Sequence, residues 1–254
     1  MFAGGTFMGE DPQEAASAGA TATSSWLSRL EAAGFWRDHF RRQPFASAGG
    51  GEEIVPLVTW ETLDRVLAAP PPIDLMTVRA GQLVTCEPPR GRRDVERLFR
   101  SGVSTVVRAA ERHDRALGSL VSALGNAAGG EAHGQLYATP AATNSYGWHY
   151  DFEDVFIVQT AGTKDYYFRA NTVADEVVLG DRPDFTAITR ETTPIFTARL
   201  LAGDWLYIPA RTWHLVKCLE DALSISTGVM SEIEVAKARR MPAGWGTSGR
   251  ESRS

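Results

Sequence analysis

His149 and Asp151 stand two apart in the run Tyr146-Gly-Trp-His149-Tyr-Asp151. On an extended strand, side chains at that spacing share one face. A neutral imidazole and a carboxylate on one face supply two of the three corners of a facial metal site. His214 offers the third corner. It closes the run Gly203-Asp-Trp-Leu-Tyr-Ile-Pro209-Ala-Arg-Thr-Trp-His214, in which Gly-Asp marks a turn, Trp205–Ile208 a strand and Pro209 its end. Three such ligands leave about three octahedral positions open, the arrangement non-haem iron oxygenases use for a chelating co-substrate and O₂. A lone His-x-Asp pair is close to chance in a chain of this size, and a lone histidine at a strand start is more often structural. The signal lies in the combination.

Lys164 adds to it. The segment Gln159-Thr-Ala-Gly162-Thr-Lys164 reads as a tight hairpin turn. Lys164 then opens a strand expected to pair with the one that carries His149 and Asp151. Lys164, Lys217 and Lys237 are the only lysines in the chain. A compact ammonium on a long stem suits a carboxylate held about one side-chain length from a metal. Zinc also accepts two histidines and a carboxylate, but a non-oxidative metal enzyme has no reason to place a cation there.

Convergence of these distant segments requires a rolled-up sheet. From Gln135 the chain runs in short alternating stretches broken by turn residues: Gln135–Ala138, His149–Gln159, Lys164–Arg169, Phe185–Thr189, Ile195–Leu201, Trp205–Ile208, Leu215–Cys218 and Ala222–Val229. Many short strands at this spacing predict a mainly β sandwich or barrel. In a jelly roll two facing sheets bring His149, Asp151 and His214 together at the mouth.

Upstream the pattern is mixed. Ser24-Ser25 reads as the cap of a helix beginning at Trp26, interrupted at Gly34 and ended by Pro44. Thr59 caps a short helix to Leu67. Leu75–Val78 and Leu83–Cys86 read as strands around Ala80-Gly81, Asp94–Phe99 as a helix, Ser104–Val107 as a strand and His113–Leu124 as a helix. The resulting division is a flexible segment over 1–22, a mixed helical region packing on the barrel over 23–134, a jelly-roll core over 135–230, and a short helix (Ile233–Arg240) with a polar tail over 231–254.

Composition narrows the function classes. The 254 residues carry a net charge of −5, which argues against coating nucleic acid or an anionic membrane. No run approaches the roughly 18 apolar residues of a membrane span, and the N-terminus lacks the basic and apolar regions of a signal peptide. Cys86 and Cys218, far apart and without a C-x-x-C pattern, fit a reducing cytoplasm. Arg90–Arg115 is rich in arginine and reads as solvated helix faces rather than a site for an acidic partner.

The motifs together resemble the JmjC-type, cupin-fold oxygenases, especially the ribosomal-oxygenase and bacterial cupin-4 branch. The resemblance rests on Leu136-Tyr-Ala-Thr-Pro-Ala, Trp148-His-Tyr-Asp-Phe-Glu-Asp-Val-Phe-Ile-Val-Gln159, Gly162-Thr-Lys164, Gly203-Asp-Trp-Leu-Tyr-Ile-Pro209, His214 and Ala222-Leu-Ser-Ile-Ser226. It spans roughly residues 30–230, with a weaker upstream likeness over Phe35–Pro44 and Thr59–Leu67. It implies a double-stranded β-helix that uses Fe(II), 2-oxoglutarate and O₂ to hydroxylate an unactivated C–H bond. By the resemblance His149, Asp151 and His214 ligate iron and Lys164 pairs with the distal carboxylate of 2-oxoglutarate. Ser226 places a hydroxyl near that carboxylate, with Ser224 or Thr227 as alternatives of register, and Tyr137 lines the co-substrate or substrate side. Asn144 and Tyr146 border the approach as channel or plain loop residues, while Trp148 and Trp213 are expected in the core.

The branch carries a helical dimerisation region and a winged helix after its barrel. Ser254 follows Ser226 too closely for both, so the oligomeric state stays open between monomer and homodimer. The expected substrate is an amino-acid side chain in a protein or peptide. The alternatives are the same chemistry on a small molecule or peptide natural product, or a non-oxidative metal-dependent cupin enzyme.

Overall fold

A computed structural model describes residues 12–144, 146–169 and 194–232. The strand expected at Phe185–Thr189 and the helix expected at Ile233–Arg240 lie outside the described residues, as do residues 1–11. Five α-helices and eleven strands are described, besides two short 3-10 turns at Val55–Leu57 and Ala110–Arg112: α1 Pro12–Ala32, α2 Phe35–Asp38, β1 Phe45–Ser47, α3 Trp60–Leu67, β2 Asp74–Arg79, β3 Gln82–Leu83, α4 Arg92–Phe99, β4 Ser104–Arg108, α5 Arg115–Ala128, β5 Gly130–Thr139, β6 Asp154–Ala161, β7 Lys164–Phe168, β8 Phe196–Leu200, β9 Trp205–Ile208, β10 His214–Cys218 and β11 Ala222–Ser231.

Eight strands form one antiparallel sheet in the order β1-β9-β6-β11-β5-β4-β2-β3, and three form a second in the order β10-β7-β8. The architecture is the jelly roll the strand spacing predicts. The strand β6 shows why the sheets stack. Its Asp154-Val-Phe-Ile-Val-Gln-Thr-Ala run is apolar on both faces. Phe156 and Val158 join the cluster under the helices, whereas Val155 and Ile157 join Tyr166, Phe168, Leu200, Leu206 and Ile208 between the sheets. A strand buried on both sides reads as a continuous apolar run rather than an alternating one.

The helical layer is held by aromatic packing. Phe35 is fully buried and meets Trp36, Phe40, Phe45, Phe156, Trp205 and Tyr207 with ring centroids 5.0–6.1 Å apart. Asp154 fastens the same region by polar contacts. Tyr207 donates to its Oδ1 at 2.6 Å and Arg41 Nε to its Oδ2 at 3.0 Å. Thr59 and Thr62 cap α3 reciprocally, as the sequence predicts. Asp114 caps α5 through the N–H groups of Ala116 and Leu117, and Gly129 ends it in a left-handed conformation.

Four expectations change. The chain is helical from Pro12, so residues 12–22 are not a flexible lead-in and Ser24-Ser25 lies inside α1. Alanine is the best helix former, and Gly19 lets α1 close on Ala116 of α5, where a Cβ would stand 2.7 Å from the Ala116 backbone. The boundary at 134/135 falls inside β5, and β2, β3 and β4 extend the same sheet as the barrel. The turn at Gly162 does not form a hairpin between paired strands: β6 and β7 lie in different sheets. Gly162, at φ +70°, packs against the backbone of Asp221 and Ala222 and carries the chain across the corner. Finally, His149 and Asp151 precede β6 instead of lying on it. Among the described residues, no helix is long and apolar enough to cross a membrane.

Candidate metal centre and the buried lysine

His149 is positioned by the second sheet. The chain beside β10 pairs with it at two ends: Cys218 N–H donates to Thr143 O at 2.8 Å, and His149 and His214 exchange backbone bonds at 2.8 and 3.0 Å. Between these ends the chain has two more residues than β10 does. Gly147 approaches the turn after β2, where it faces Gly81. His149 and His214 are therefore directly opposite one another, with ring centroids 4.1 Å apart. Asp151 is held from the other side by Arg211 N–H, which donates to its carbonyl at 2.6 Å.

The ligand-type atoms of His149, Asp151 and His214 all lie within 4.8 Å of one another. His214 Nε2 is 3.7 Å from Asp151 Oδ2. His214 is buried, whereas the Asp151 carboxylate is half exposed. Each imidazole uses Nδ1 against a backbone carbonyl two residues earlier: His149 on Gly147 O at 2.8 Å, His214 on Thr212 O at 3.0 Å. That contact makes Nδ1 the donor and leaves a lone pair on Nε2 in both rings, the tautomer and orientation a metal-binding histidine needs. Two imidazole nitrogens and a carboxylate fit a divalent transition ion.

Lys164 opens β7, and every second residue of that strand faces the space between the sheets with Tyr166 and Phe168. Lys164 is 4% exposed. Burial pulls its ammonium down to about 8. Its Nζ donates to Ser224 Oγ at 2.9 Å and sits 5.8 Å above the Tyr137 ring. Among the described residues no carboxylate pairs with it. Burial also raises the thiol of Cys218, opposite Lys164 in the β7–β10 register, although the lysine charge opposes this.

The structure thus brings together His149, Asp151 and His214, and separately Lys164, Tyr137 and Ser224. Ser224, rather than Ser226, reaches the ammonium. Ser226 lies two residues further along β11, opposite Gln135 and Ile157. Thr227 faces the other way. Lys164's strand pairs with β10 and β8, not with the segment holding His149. Trp213 is buried against Tyr150 at 4.6 Å, as expected. Trp148 is not in the core: it is partly exposed, with the Arg169 guanidinium 5.3 Å above its ring. The Tyr146 ring stands 5.6 Å from that of His149, and Asn144 is exposed.

Sequence reasoning found Tyr137 but missed Gln135 and His133. All three alternate along one face of β5, opposite Ser224, Ser226 and Gly228 of β11. Tyr137 donates to Gln135 Oε1 at 3.0 Å, Gln135 Nε2 meets His133 Nε2 at 3.3 Å, and His133 meets Glu153 at 3.2 Å. The alternation of polar residues in Gly130–Thr139 is the signal that would have exposed this wall.

Residues 115–236 match the JmjC domain family. Over these residues the chain is similar to that domain. Ribosomal oxygenase 1 of Danio rerio is 27% identical over 207 residues, covering 78% of this chain and 38% of the relative. The bifunctional lysine-specific demethylase and histidyl-hydroxylase NO66 of Dictyostelium discoideum is 33% identical over 90 residues, 35% of this chain and 18% of the relative. Among solved structures, the X-ray structure of Escherichia coli ycfD aligns at a TM-score of 0.61 and 18% identity, covering 87% of this chain and 61% of that one. YcfD in complex with cobalt and 2-oxoglutarate aligns at 0.59 and 17% identity, covering 89% and 61%. These likenesses agree with the jelly-roll fold, and the chain spans about a fifth to two fifths of the two curated relatives and about three fifths of the two solved chains.

Proposed function

We propose that this chain is an Fe(II)- and 2-oxoglutarate-dependent oxygenase that hydroxylates an unactivated C–H bond of an amino-acid side chain in a protein or peptide. One observation carries the reading: a buried ammonium whose described partner is only a hydroxyl faces the same interior as a His/Asp/His set. A cation so desolvated is costly unless an anion joins it. The β7–β10 register puts Lys164 four residues from the position opposite His214. That is roughly 13 Å of strand, a gap that a lysine stem and a five-carbon dicarboxylate span together.

His149 Nε2, His214 Nε2 and the Asp151 carboxylate would hold the iron. With iron bound, 2-oxoglutarate and O₂ supply the oxidant that inserts oxygen into the C–H bond as the co-substrate becomes succinate and CO₂. The protein residues do the positioning. Gly147 and Thr212 carbonyls fix both imidazoles before any ion arrives. Lys164 and Ser224 fix the far end of the co-substrate, so its orientation is set in advance. Val155, Ile157, Leu206 and Ile208 make the facing wall apolar, which excludes water from the reacting centre.

The named relatives, ribosomal oxygenases and a histidyl-hydroxylase, support a protein or peptide substrate over a small molecule. The free thiols Cys86 and Cys218 accord with a cytoplasmic protein. The test is release of succinate from 2-oxoglutarate by the aerobic protein with Fe(II). Wild type is expected to turn over; His149→Ala and Asp151→Ala are expected to lose at least about a hundredfold in rate. Equal succinate from wild type and both variants would overturn the reading.

A further inference from the structure

Two turns border the segment that leads to His149. A Cβ at Gly81, between β2 and β3, would stand 3.8 Å from Gly147 N, and one at Gly102, just after α4, 3.9 Å from the Thr143 methyl group. Val78 pairs with Ser104, so both turns lie at the same end of the sheet. Each has an arginine beside it. Arg79 ends β2, and Arg100 follows α4 with helical backbone. Arg93, Arg97 and Arg100 stand at i, i+4 and i+7, a spacing that puts them on one helix face, while Val95 is buried on the other side. All four arginines are exposed. The neighbouring arginines are neutralised: Arg92 by Glu96, Arg108 by Asp74 and Arg65 by Asp114. Arg97 meets Asp94 at 2.9 Å. Among the described residues no ion pair holds Arg79, Arg93 or Arg100. A positive face thus stands beside the approach to the metal site, in a chain whose net charge is −5.

We infer that Arg79, Arg93, Arg97 and Arg100 form a docking face, outside the barrel, for an acidic segment of the peptide substrate. The inference rests on the oxygenase reading and adds to it a requirement on the sequence around the hydroxylated residue. The path from His149 to Gly147, across to Gly81 and on to Arg79 is roughly 15 Å, about five residues of extended peptide. A peptide whose reacting side chain enters the mouth therefore brings carboxylates about five residues away onto Arg79, and later ones onto α4. Guanidinium groups take carboxylates in bidentate, charge-assisted pairs. Leu83, opposite Val78 on the edge strand β3, is 59% exposed. It offers apolar contact to a peptide and nothing to a phosphate chain. The net negative charge opposes a long polyanion at a distance, whereas a short acidic run meets chiefly the local positive face.

The experiment uses the whole chain with Fe(II) and 2-oxoglutarate, without oxygen, and a fluorescein-labelled peptide alternating Glu and Ser, read by anisotropy. At low salt wild type is expected to bind it about tenfold more tightly than the same peptide with Gln for Glu. The difference is expected to shrink as salt rises. Combining Arg79→Gln, Arg93→Gln and Arg100→Gln is expected to abolish the preference. Combining Arg112→Gln and Arg115→Gln, exposed beyond the other end of β4, is expected to keep it. The charge-transfer band of iron with 2-oxoglutarate, recorded without label, reports an intact metal site. In air, library peptides that gain one oxygen are expected to be enriched in Asp and Glu about five residues from the modified residue. A retained band with lost preference in the triple variant supports the inference. Equal binding of the Glu and Gln peptides by wild type, an equal loss in the Arg112/Arg115 variant, no acidic enrichment among hydroxylated peptides, or tighter binding of an oligothymidylate of matched charge overturns it and leaves the oxygenase reading standing. Absence of the band in wild type overturns both.

Discussion

Lys164 Nζ donates to Ser224 Oγ at 2.9 Å across the space between the two sheets. The contact joins the minor sheet to β11, the strand flanked by β5 and β6 in the larger one. It leaves an ammonium nearly out of water with a neutral partner. A site with this composition is prepared for an anion.

Replacing Lys164 tests that preparation. Lys164→Met should weaken 2-oxoglutarate binding by about 2–4 kcal/mol, the cost of removing one partner from a desolvated, hydrogen-bonded charge pair. Metal uptake should be unchanged, since no proposed ligand is altered. Titration calorimetry with 2-oxoglutarate, and separately with Mn²⁺, distinguishes the two effects. Equal loss of both would mean a damaged fold.

The same lysine predicts a pH dependence of stability in the co-substrate-free protein. Its folded value of about 8 lies below the unfolded value near 10.4. Between these limits the unfolded chain binds more protons, so stability rises with pH across the window. The gain is complete above the unfolded value and is lost as pH falls through about 8. Its size is on the order of 3 kcal/mol. Chemical denaturation of wild type and Lys164→Met between pH 7.5 and 10.5 checks this, because the variant should lack the rise.

Ser224 and Ser226 differ by two positions in register, and only Ser224 touches the ammonium. Ser224→Ala should weaken 2-oxoglutarate binding by about 1 kcal/mol, while Ser226→Ala should leave it within experimental error. Alternation alone could not separate the two, because residues two apart on a strand point the same way. The bulge between Leu223 and Ser224 sets the register, and nothing local in Ala222-Leu-Ser-Ile-Ser226 announces it.

Much else was legible. Trp205–Ile208 and Ala222–Val229 read correctly because burial imposes β-rich apolar runs and Gly203 or Asp221 interrupts them. Lys164 stood out by rarity and placement after a turn. The metal set was legible as three residue types, but not how they meet. The sequence reads His149 onto a continuous strand with Asp151, and it is instead joined to His214 by an isolated bridge ahead of β6. Long-range pairing of that kind has no period to read. Residues 12–22 misled in the opposite direction, since small residues suit a flexible linker and a close helix contact equally. Gly19 against Ala116 settles that choice only in three dimensions.

Asp154 offers a stability test away from the chemistry. It receives Tyr207 and Arg41 at once and so fastens the chain after α2 to β6 and β9. Asp154→Ala should cost about 2–4 kcal/mol, because it strands a buried phenol and unpairs a partly exposed guanidinium. Tyr207→Phe should cost about 1–3 kcal/mol. Urea denaturation followed by tryptophan fluorescence measures both.

The most direct test is visible absorption on anaerobic addition of 2-oxoglutarate to the Fe(II)-loaded protein. A broad charge-transfer band is expected in wild type, lost in His214→Ala and shifted to much higher 2-oxoglutarate concentration in Lys164→Met. No band in wild type, or one that survives His214→Ala unchanged, would contradict the assignment of the metal centre.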